Sequence, residues 1–407
     1  MKIILIEPSF FGMGYFTAAN KLNIELIVLT NDLSNSDTFG YREHCAEICV
    51  VDLNDQDKVF YKVDCLLSRH NVSAVLPGSQ LATSIAGIIG ERFSLPGLNE
   101  QSASLGVNKD FARTAYQKNN VPSAKFTLID EQTDMANIAE KVPFPMVLKP
   151  VASSSSKAVE MIDSSEQLQQ RFDALKEVDT SFMGFTNRQL FMVEELLQGD
   201  EFSVELALKE GNAFYQSVTE KLKTELPYFV ELGHISPAVI DTKLSESLIE
   251  VSIAACVALG LSTGVFHVEL INTSSGPRIV EVNPRPAGDK IASHLIPLSH
   301  NIDLYELHFK MLGEKLPKKP VCDNKVAAVF FMTSGESGKV SKINIPNALA
   351  EHRGIVELEL YVREGDEVYQ PTSSADRIGH FMVKGDSHQV VTDLKNMIEA
   401  QIEIVIE

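Results

Sequence analysis

The sequence predicts an α/β protein built from two to four packed units, and three observations carry that prediction. At 407 residues the chain exceeds what one hydrophobic core usually supports. Its first hundred residues alternate short apolar runs with helical stretches, the pattern of βαβ units around a parallel sheet. Farther along, two strands meet at "TSSGP", which reads as an antiparallel hairpin.

Each element follows from its local pattern. In the first unit, "KIILI" (2–6), "IELIVLT" (24–30), "VDCLLS" (63–68) and "VSAVLPG" (72–78) have the length of buried strands. The "GMGYF" after the first run supplies Gly12 and Gly14. Thr17 stands where a dinucleotide fingerprint needs its third glycine, so a nicotinamide oxidoreductase is disfavoured. Asn108 is placed to cap a helix starting at Lys109, and Pro122 closes that segment after "KNN". "FPMVLKP" (144–150) reads as a strand running into "VASSSSKAV", a stretch of small hydroxyl residues. A helix opened by Asp163 or Ser164 carries Leu168, Phe172 and Leu175 on one face. The strands "QLFMVEELL" (189–197) and "FSVELALKEG" (202–211) follow, joined by a Gly-Asp turn. "SESLIEVSIAACVALGLS" is a longer helix with Ile249, Ile253, Cys256 and Val257 on one side, stopping at Gly260. The hairpin comes next. After the Lys- and Pro-rich "GEKLPKKPVCDNK" (313–325), the last eighty residues read as an α/β or α+β appendix ending in "QIEIVIE".

Composition narrows the function classes. Hydrophobic residues at 44% and charged residues at 22% are ordinary globular proportions. A net charge of −19 argues against nucleic acid as a partner, and an anionic ligand needs a local cluster of Lys or Arg. Cys45, Cys49, Cys65, Cys256 and Cys322 are sparse, odd in number and without C-x-x-C spacing, which suggests neither disulfides nor zinc. "KIILIEP" is too short for a signal-peptide core, and no run nears the ~18 apolar residues of a membrane span. The expected location is the cytoplasm.

The hairpin holds the chemistry. Residues two apart on a strand face one way, so Glu281, Asn283 and Arg285 share a face while Val280 and Val282 share the other. Antiparallel pairing sets Glu269 of the first arm across from Glu281 and Asn283. Two carboxylates ~4 Å apart repel by about 4 kcal/mol at an effective dielectric of 20, so the pair wants a cation. An all-oxygen set with room for water suits Mg²⁺, which takes one or two carboxylates plus phosphate oxygens. By itself, E-x-N on a strand also fits a solvated face. Lys149 ends a strand just before the hydroxyl-rich loop, and Lys109 starts a helix after the first unit. Together they give a polyphosphate its opposite charge.

That order, with "VEELLQGDE" leaving the middle segment, resembles the ATP-grasp superfamily of carboxylate–amine ligases over most of the chain. The resemblance implies an N-terminal Rossmann-like parallel-sheet domain (1–105), an ATP-grasp domain (106–315) with a lid at about 144–193, and a C-terminal α+β domain (316–407). It implies that Lys109 and Lys149 contact the ATP phosphates, with Ser154 and Ser156 among the loop donors. The Glu194 side chain and the Glu195 and Leu197 backbone then hold adenine, and Glu201 the ribose. Glu269, Glu281 and Asn283 bind two Mg²⁺ ions, for which Mn²⁺ can substitute. Arg285 steadies the transferred phosphoryl group and the acyl phosphate. One departure stands out: the family's phosphate loop is commonly glycine-rich, whereas "VASSSSKAV" has no glycine, so conformations with φ > 0 are costly there.

"TEKLKTELPYFVELGHISPA" (219–238) and "VNPRPAGDKI" resemble the L-amino-acid ligase (dipeptide synthetase) branch. There, Glu231 and His234 in a Gly-containing turn, with Gly288 and Asp289 after the arginine, line the amino-acid pocket. Gln80 of "LPGSQ" also reaches toward it. A capping role for His234 and an exposed loop charge for Asp289 are the plainer alternatives. The implied reaction forms an acyl phosphate and ADP from a carboxylate and ATP, after which an amine displaces phosphate. Glu231 or His234 takes the amine's proton, and Asp289 favours a polar or cationic substrate over a bulky apolar one. A homodimer is common among look-alikes. Rival readings are a bicarbonate- or formate-using enzyme of the biotin carboxylase or purine-pathway type, and a non-catalytic nucleotide-binding regulator.

Overall fold

The structure is a computed structural model that describes residues 1–152, 159–177, 183–185, 188, 190–226, 228–313, 318, 321–323 and 325–407. Strands β1 (Lys2–Ile6), β2 (Glu25–Thr30), β3 (Glu47–Val50) and β4 (Val72–Pro77) form a parallel sheet in the order β3-β2-β1-β4. Ile3 to Ile6 are fully buried, as expected where helices cover both faces.

One expectation fails here. The run at 63–68 belongs to the helix Gln56–Arg69. Val59, Val63 and Leu66 recur at helical spacing and are buried, and the Asp55 carboxylate caps the helix by accepting from the Lys58 N–H (3.1 Å). The fourth strand is instead "EICV" at 47–50, a four-residue edge strand whose residues are mostly half-buried or exposed. Gly12 and Gly14 turn out to be packing glycines. A Cβ on Gly14 would lie 2.2 Å from the Tyr305 ring, and one on Gly12 would lie 2.6 Å from the Gly78 carbonyl oxygen.

Strands β5 (Phe126–Ile129), β6 (Met146–Pro150), β7 (Glu160–Ile162) and β8 (Phe191–Glu195) form an antiparallel sheet in the order β5-β8-β6-β7. Beside it, Ser164 caps the helix Ser165–Lys176, whose Leu168, Phe172 and Leu175 are buried as expected.

Next come β9 (Asp200–Lys209), β10 (Asn212–Lys223), β11 (Glu231–Ser236), β12 (Gly264–Thr273) and β13 (Gly276–Asn283). The chain ends with β14 (Val326–Thr333), β15 (Gly338–Asn344), β16 (Ile355–Leu360), β17 (Glu367–Val368), β18 (Arg377–Gly385) and β19 (Glu403–Ile406). Eight of these make one sheet, β13-β12-β9-β10-β11-β14-β18-β16. Of the strands in the last eighty residues, β14, β18 and β16 extend the sheet that carries the hairpin.

The expected turn around Glu231 and His234 is strand β11, paired to β10 and β14. Gly233 sits there because a Cβ would come 2.6 Å from the Val329 carbonyl oxygen. The helix Thr242–Ala258 ends near Gly260 (φ +73°) as expected. Its buried face is Leu248, Ser252, Ala255 and Cys256, whereas Val257 is 53% exposed. Ser252 hides its hydroxyl by donating to the Leu248 carbonyl (2.7 Å), which lets a polar residue occupy the inward face. Among the described residues, no helix is long and apolar enough to cross a membrane.

The parallel sheet is tied to the rest through the helices Met13–Leu22 and Leu304–Met311. Tyr15 and Tyr305 meet edge-to-face with centroids 4.9 Å apart, and the Tyr15 hydroxyl bonds the His308 Nδ1 (2.7 Å). Burial pushes the His308 imidazole down to about 4. Because that lies below the unfolded value, its contribution is complete above about pH 6.5 and fades as pH falls toward 4. The cost reaches on the order of 2 kcal/mol at pH 5. Urea midpoints at pH 7 and pH 5 should differ less in His308→Gln than in the wild type, and an unchanged difference would refute the linkage.

Candidate functional site

The β12–β13 register sets Glu269 opposite Glu281 and His267 opposite Asn283. A bulge after Glu269 leaves Val280 without a partner of its own. Val280 therefore lines a cavity together with Glu281, and does not share the buried face of Val282 as the alternation predicted.

Each hairpin carboxylate already holds cationic or amide partners. Glu281 accepts from Gln80 (2.7 Å) and pairs with Lys109 (3.1 Å). Lys109 opens the helix Lys109–Lys118 as expected, but the Asn108 side chain does not cap it. That amide donates back to the Ser104 carbonyl (3.0 Å), while the Lys109 N–H donates to the Val151 carbonyl (2.9 Å). Glu269 accepts from Lys221 (2.9 Å) and lies 3.2 Å from the His267 Nε2. His267 is buried, and Glu205 on its other nitrogen (2.8 Å), with Glu269, outweighs burial and raises its pKa to about 9. Beside these groups, the Asn283 Oδ1 and Arg285 Nε are buried without a hydrogen-bond partner among the described residues. The Arg285 guanidinium lies 4.6 Å from the Phe11 ring centroid.

Lys221 was missed by the sequence reading. It is 2% exposed at its side chain and meets three carboxylates: Glu201 at 3.0 Å, Glu231 at 2.6 Å and Glu269 at 2.9 Å. Burial works against its charge, but those carboxylates lift its pKa well above the lysine range. The signal was the "EKLK" run, legible only once β10 is recognised and paired to β9, where Lys221 faces Glu201. Lys223 adds a second contact to Glu201 (3.0 Å).

Behind this wall, Glu194 of β8 is buried between Arg113 (2.6 Å) and Lys149. Burial alone raises its pKa, yet the two cations hold it at about 2. Burial, against the pull of Glu194, lowers that of Lys149. Arg113, also missed, spans the gap by donating to the Val280 carbonyl (2.8 Å). The Glu195 carboxylate accepts from the Lys125 N–H (3.0 Å) and from Arg278 (3.0 Å). Lys109, Lys149, Glu194, Glu195, Leu197 and Glu201 all line one cavity of about 140 Å³. Ser154 and Ser156 lie outside the described residues.

A second cavity, about 130 Å³, shares Glu231, Glu269 and Glu281 with the first, and adds Gln80, His234, Asn283, Arg285, Gly288 and Asp289. His234 is fully buried on β11, so it caps nothing; its Nε2 lies 3.5 Å from Asp289 and 3.8 Å from Glu231. Nor is Asp289 an exposed charge. Arg377 of β18, a third residue the sequence reading missed, donates to Asp289 (3.0 Å), to the Glu231 carbonyl (3.0 Å) and to the Glu231 carboxylate (3.4 Å), with its guanidinium 3.7 Å from the Phe331 centroid. Burial raises the Glu231 pKa, while His234 and Arg377 overcome burial to lower that of Asp289.

The donor set suits a hard cation. Two carboxylates and an unsatisfied amide oxygen project from one hairpin toward a polar cavity, with lysines nearby that an arriving phosphate can engage.

Comparison with known proteins bears on this arrangement. An ATP-grasp domain family matches residues 142–294, and the family described as L-amino acid ligase C-terminal domain 2 matches 330–407. Dapdiamide A synthase of Enterobacter agglomerans is 25% identical over 377 residues, 88% of this chain and 84% of that protein. The L-arginine-specific L-amino acid ligase of Bacillus subtilis is 23% identical over 296 residues, 71% of this chain and 69% of that one. This chain also matches carnosine synthases of human, mouse and chicken, but spans less than a third of their length. The crystal structure of an L-amino acid ligase from Bacillus licheniformis superposes with a TM-score of 0.82 over 100% of this chain and 98% of that one, at 19% identity.

Removing Lys221 leaves three carboxylates facing one another without their shared cation. Lys221→Met should cost about 3–5 kcal/mol, as breaking a buried ion pair does, whereas Lys221→Arg should cost less. Thermal melting of both variants checks this, and a wild-type melting temperature for the methionine variant would contradict it.

Proposed function

The chain belongs to the L-amino acid ligase branch of the ATP-grasp superfamily and is an ATP-dependent carboxylate–amine ligase, and on that premise we propose that it joins an amino-acid carboxylate to an amine, releasing ADP and phosphate. The observation that carries this reading is the meeting of two groups of side chains in one cavity: Glu269, Glu281, Asn283 and Arg285 on one wall, Glu231, His234 and Asp289 on the other. The family match over 330–407 favours the amino-acid branch over bicarbonate- or formate-using relatives.

The ATP-grasp fold binds ATP with Mg²⁺. In our assignment the adenine lies against the Glu195 and Leu197 backbone. Glu194 contributes the lone pairs that Arg113 and Lys149 leave on its oxygens. Glu201 takes the ribose hydroxyls, and Lys149 and Lys109 turn to the phosphates. Glu269, Glu281 and Asn283 are assigned as the oxygens for two Mg²⁺ ions, which supply charge neutralisation along the polyphosphate. The domain limits given above, the lid at about 144–193 and a homodimer are parts of the same proposal.

Phosphoryl transfer rests mainly on positioning and charge, which fits a site of lysines, arginines and oxygens. A substrate carboxylate oxygen bonds to the γ-phosphorus as the bond to ADP breaks, giving an acyl phosphate. We assign Arg285, its guanidinium beside Phe11, to steady that group. The amine then bonds to the acyl carbon and phosphate leaves with the C–O electron pair. Glu231, whose burial favours protonation, and the adjacent His234 are the candidates to receive the amine's proton. Asp289, which shares its charge with Arg377 and His234, keeps the expected preference for a polar or cationic substrate over a bulky apolar one.

The direct test is ATP-dependent phosphate release over a pairwise grid of the twenty amino acids, with Mg²⁺ and without bicarbonate. Release that needs two particular amino acids, with the peptide confirmed by mass spectrometry, is expected. A blank grid with release restored by bicarbonate or formate would refute the amino-acid assignment. Arg285→Ala should lower kcat by about 100-fold, as loss of a transition-state charge donor does. Unchanged ligation rates in both Glu231→Gln and His234→Asn would remove the base assignment.

A further inference from the structure

A cavity of about 1130 Å³ continues from the catalytic wall, sharing Phe11, Gly288 and Asp289 with it, and no step above uses it. Pockets for small ligands commonly run roughly 300–1,000 Å³, so this space is far more than one amino acid fills. Two helices form its long walls. Met13, Gly14, Thr17 and Lys21 recur along one face of Met13–Leu22. Asp303, Leu307 and Lys310 do the same along Leu304–Met311, with Asp303 as the cap.

Length and charge define the occupant. From Gly14 to Lys21 the helix rises about 10 Å at ~1.5 Å per residue. An extended peptide advances roughly 3.3 Å per residue, so the cleft has room for about three residues beyond the catalytic wall. Lys21, Lys290, Lys310, Lys318 and Arg377 line it against three carboxylates, in a chain whose net charge is −19. Lys290 turns to Glu357 (2.9 Å), and Lys21 meets Asp303 (3.1 Å) and Glu306 (3.2 Å). Lys310 shares Glu306 (3.0 Å) and Arg377 holds Asp289 (3.0 Å), and the five cations still outnumber these four carboxylates. Its ends differ: Glu231 and Asp289 stand at the catalytic end, whereas Lys21 and Lys310 lie in the last turns of the two helices. Phe10, Phe331 and Tyr361 supply apolar wall between them.

We infer that this cleft receives the amine substrate as a peptide of two or three residues, its ammonium toward Glu231 and Asp289 and its carboxylate toward Lys21 and Lys310. The inference rests on the ligase reading above. The ammonium gives one proton to Glu231 or His234. The freed nitrogen bonds to the acyl carbon, phosphate leaves with the C–O electron pair, and the nitrogen's second proton leaves with that phosphate. The product is one residue longer than the peptide that entered.

Ala, Ala-Ala and Ala-Ala-Ala are to be offered as amines with the acid that the amino-acid grid identifies, and products read by mass spectrometry. Calorimetry with the same three probes and MgADP measures binding without turnover. The tripeptide should bind about tenfold more tightly than Ala, a gain of about 1.4 kcal/mol. Lys310→Glu should raise the tripeptide's KM about tenfold while the KM for Ala stays within twofold. Tripeptide binding no tighter than that of Ala, or an equal effect of Lys310→Glu on both amines, overturns the inference. Amino acids joined while peptides are refused defeats it and spares the ligase. If no acid is found at all, the ligase reading fails and calorimetry still decides the cleft.

Discussion

The site is organised around one buried cation. Lys221 on β10 draws Glu201 of β9, Glu231 of β11 and Glu269 of β12 to a single nitrogen. Those three carboxylates belong to three different parts of the proposed chemistry: the ribose end, the amine end and the metal wall. Without a positive charge among them, mutual repulsion in a partly dry cavity would push the strands' side chains apart. With it, three like charges from three strands are held around one nitrogen.

The same economy extends to the rest of the polar wall. Lys109 waits on Glu281, Lys149 on Glu194, and Arg113 ties Glu194 to the backbone of the hairpin. Each pair keeps a charge satisfied that burial would otherwise penalise. In the proposed function each pair also holds a partner in reserve, the lysines passing to phosphate as the carboxylates pass to a metal ion. Asn283 and Arg285 differ, because each keeps a buried polar atom with no partner among the described residues. Those orphaned atoms favour the proposed receiving face over a purely structural ion-pair network.

Sheet continuity gives the C-terminal strands a place in the chemistry. β14 pairs with β11, and β18 pairs with β14, so Arg377 is carried to within hydrogen-bond distance of Glu231 and Asp289. Its guanidinium against Phe331 and its three contacts make it a brace between the last segment and the amine-side acids. The same pairing makes the long cleft a joint product of the N-terminal helix, the helix Leu304–Met311 and the C-terminal strands.

The sequence alone determined the α/β class, the hairpin, and the facing of Glu269 and Glu281. These depend on local period and on a short turn, which fix register within a few residues. It also determined the lysine-then-carboxylate order that identified the family. It misread 63–68 as a strand because an apolar run of that length fits a buried strand or a helix face equally well. It missed β3 and β11: one is a short edge strand, and the other carries charged residues that only a cavity justifies. Lys221, Arg113 and Arg377 were out of reach for a further reason. A lysine or arginine is exposed by default, and nothing local says that three carboxylates, or a carboxylate from 88 residues away, will close on it. Those contacts exist only after the strands pair, so tertiary structure alone decided them.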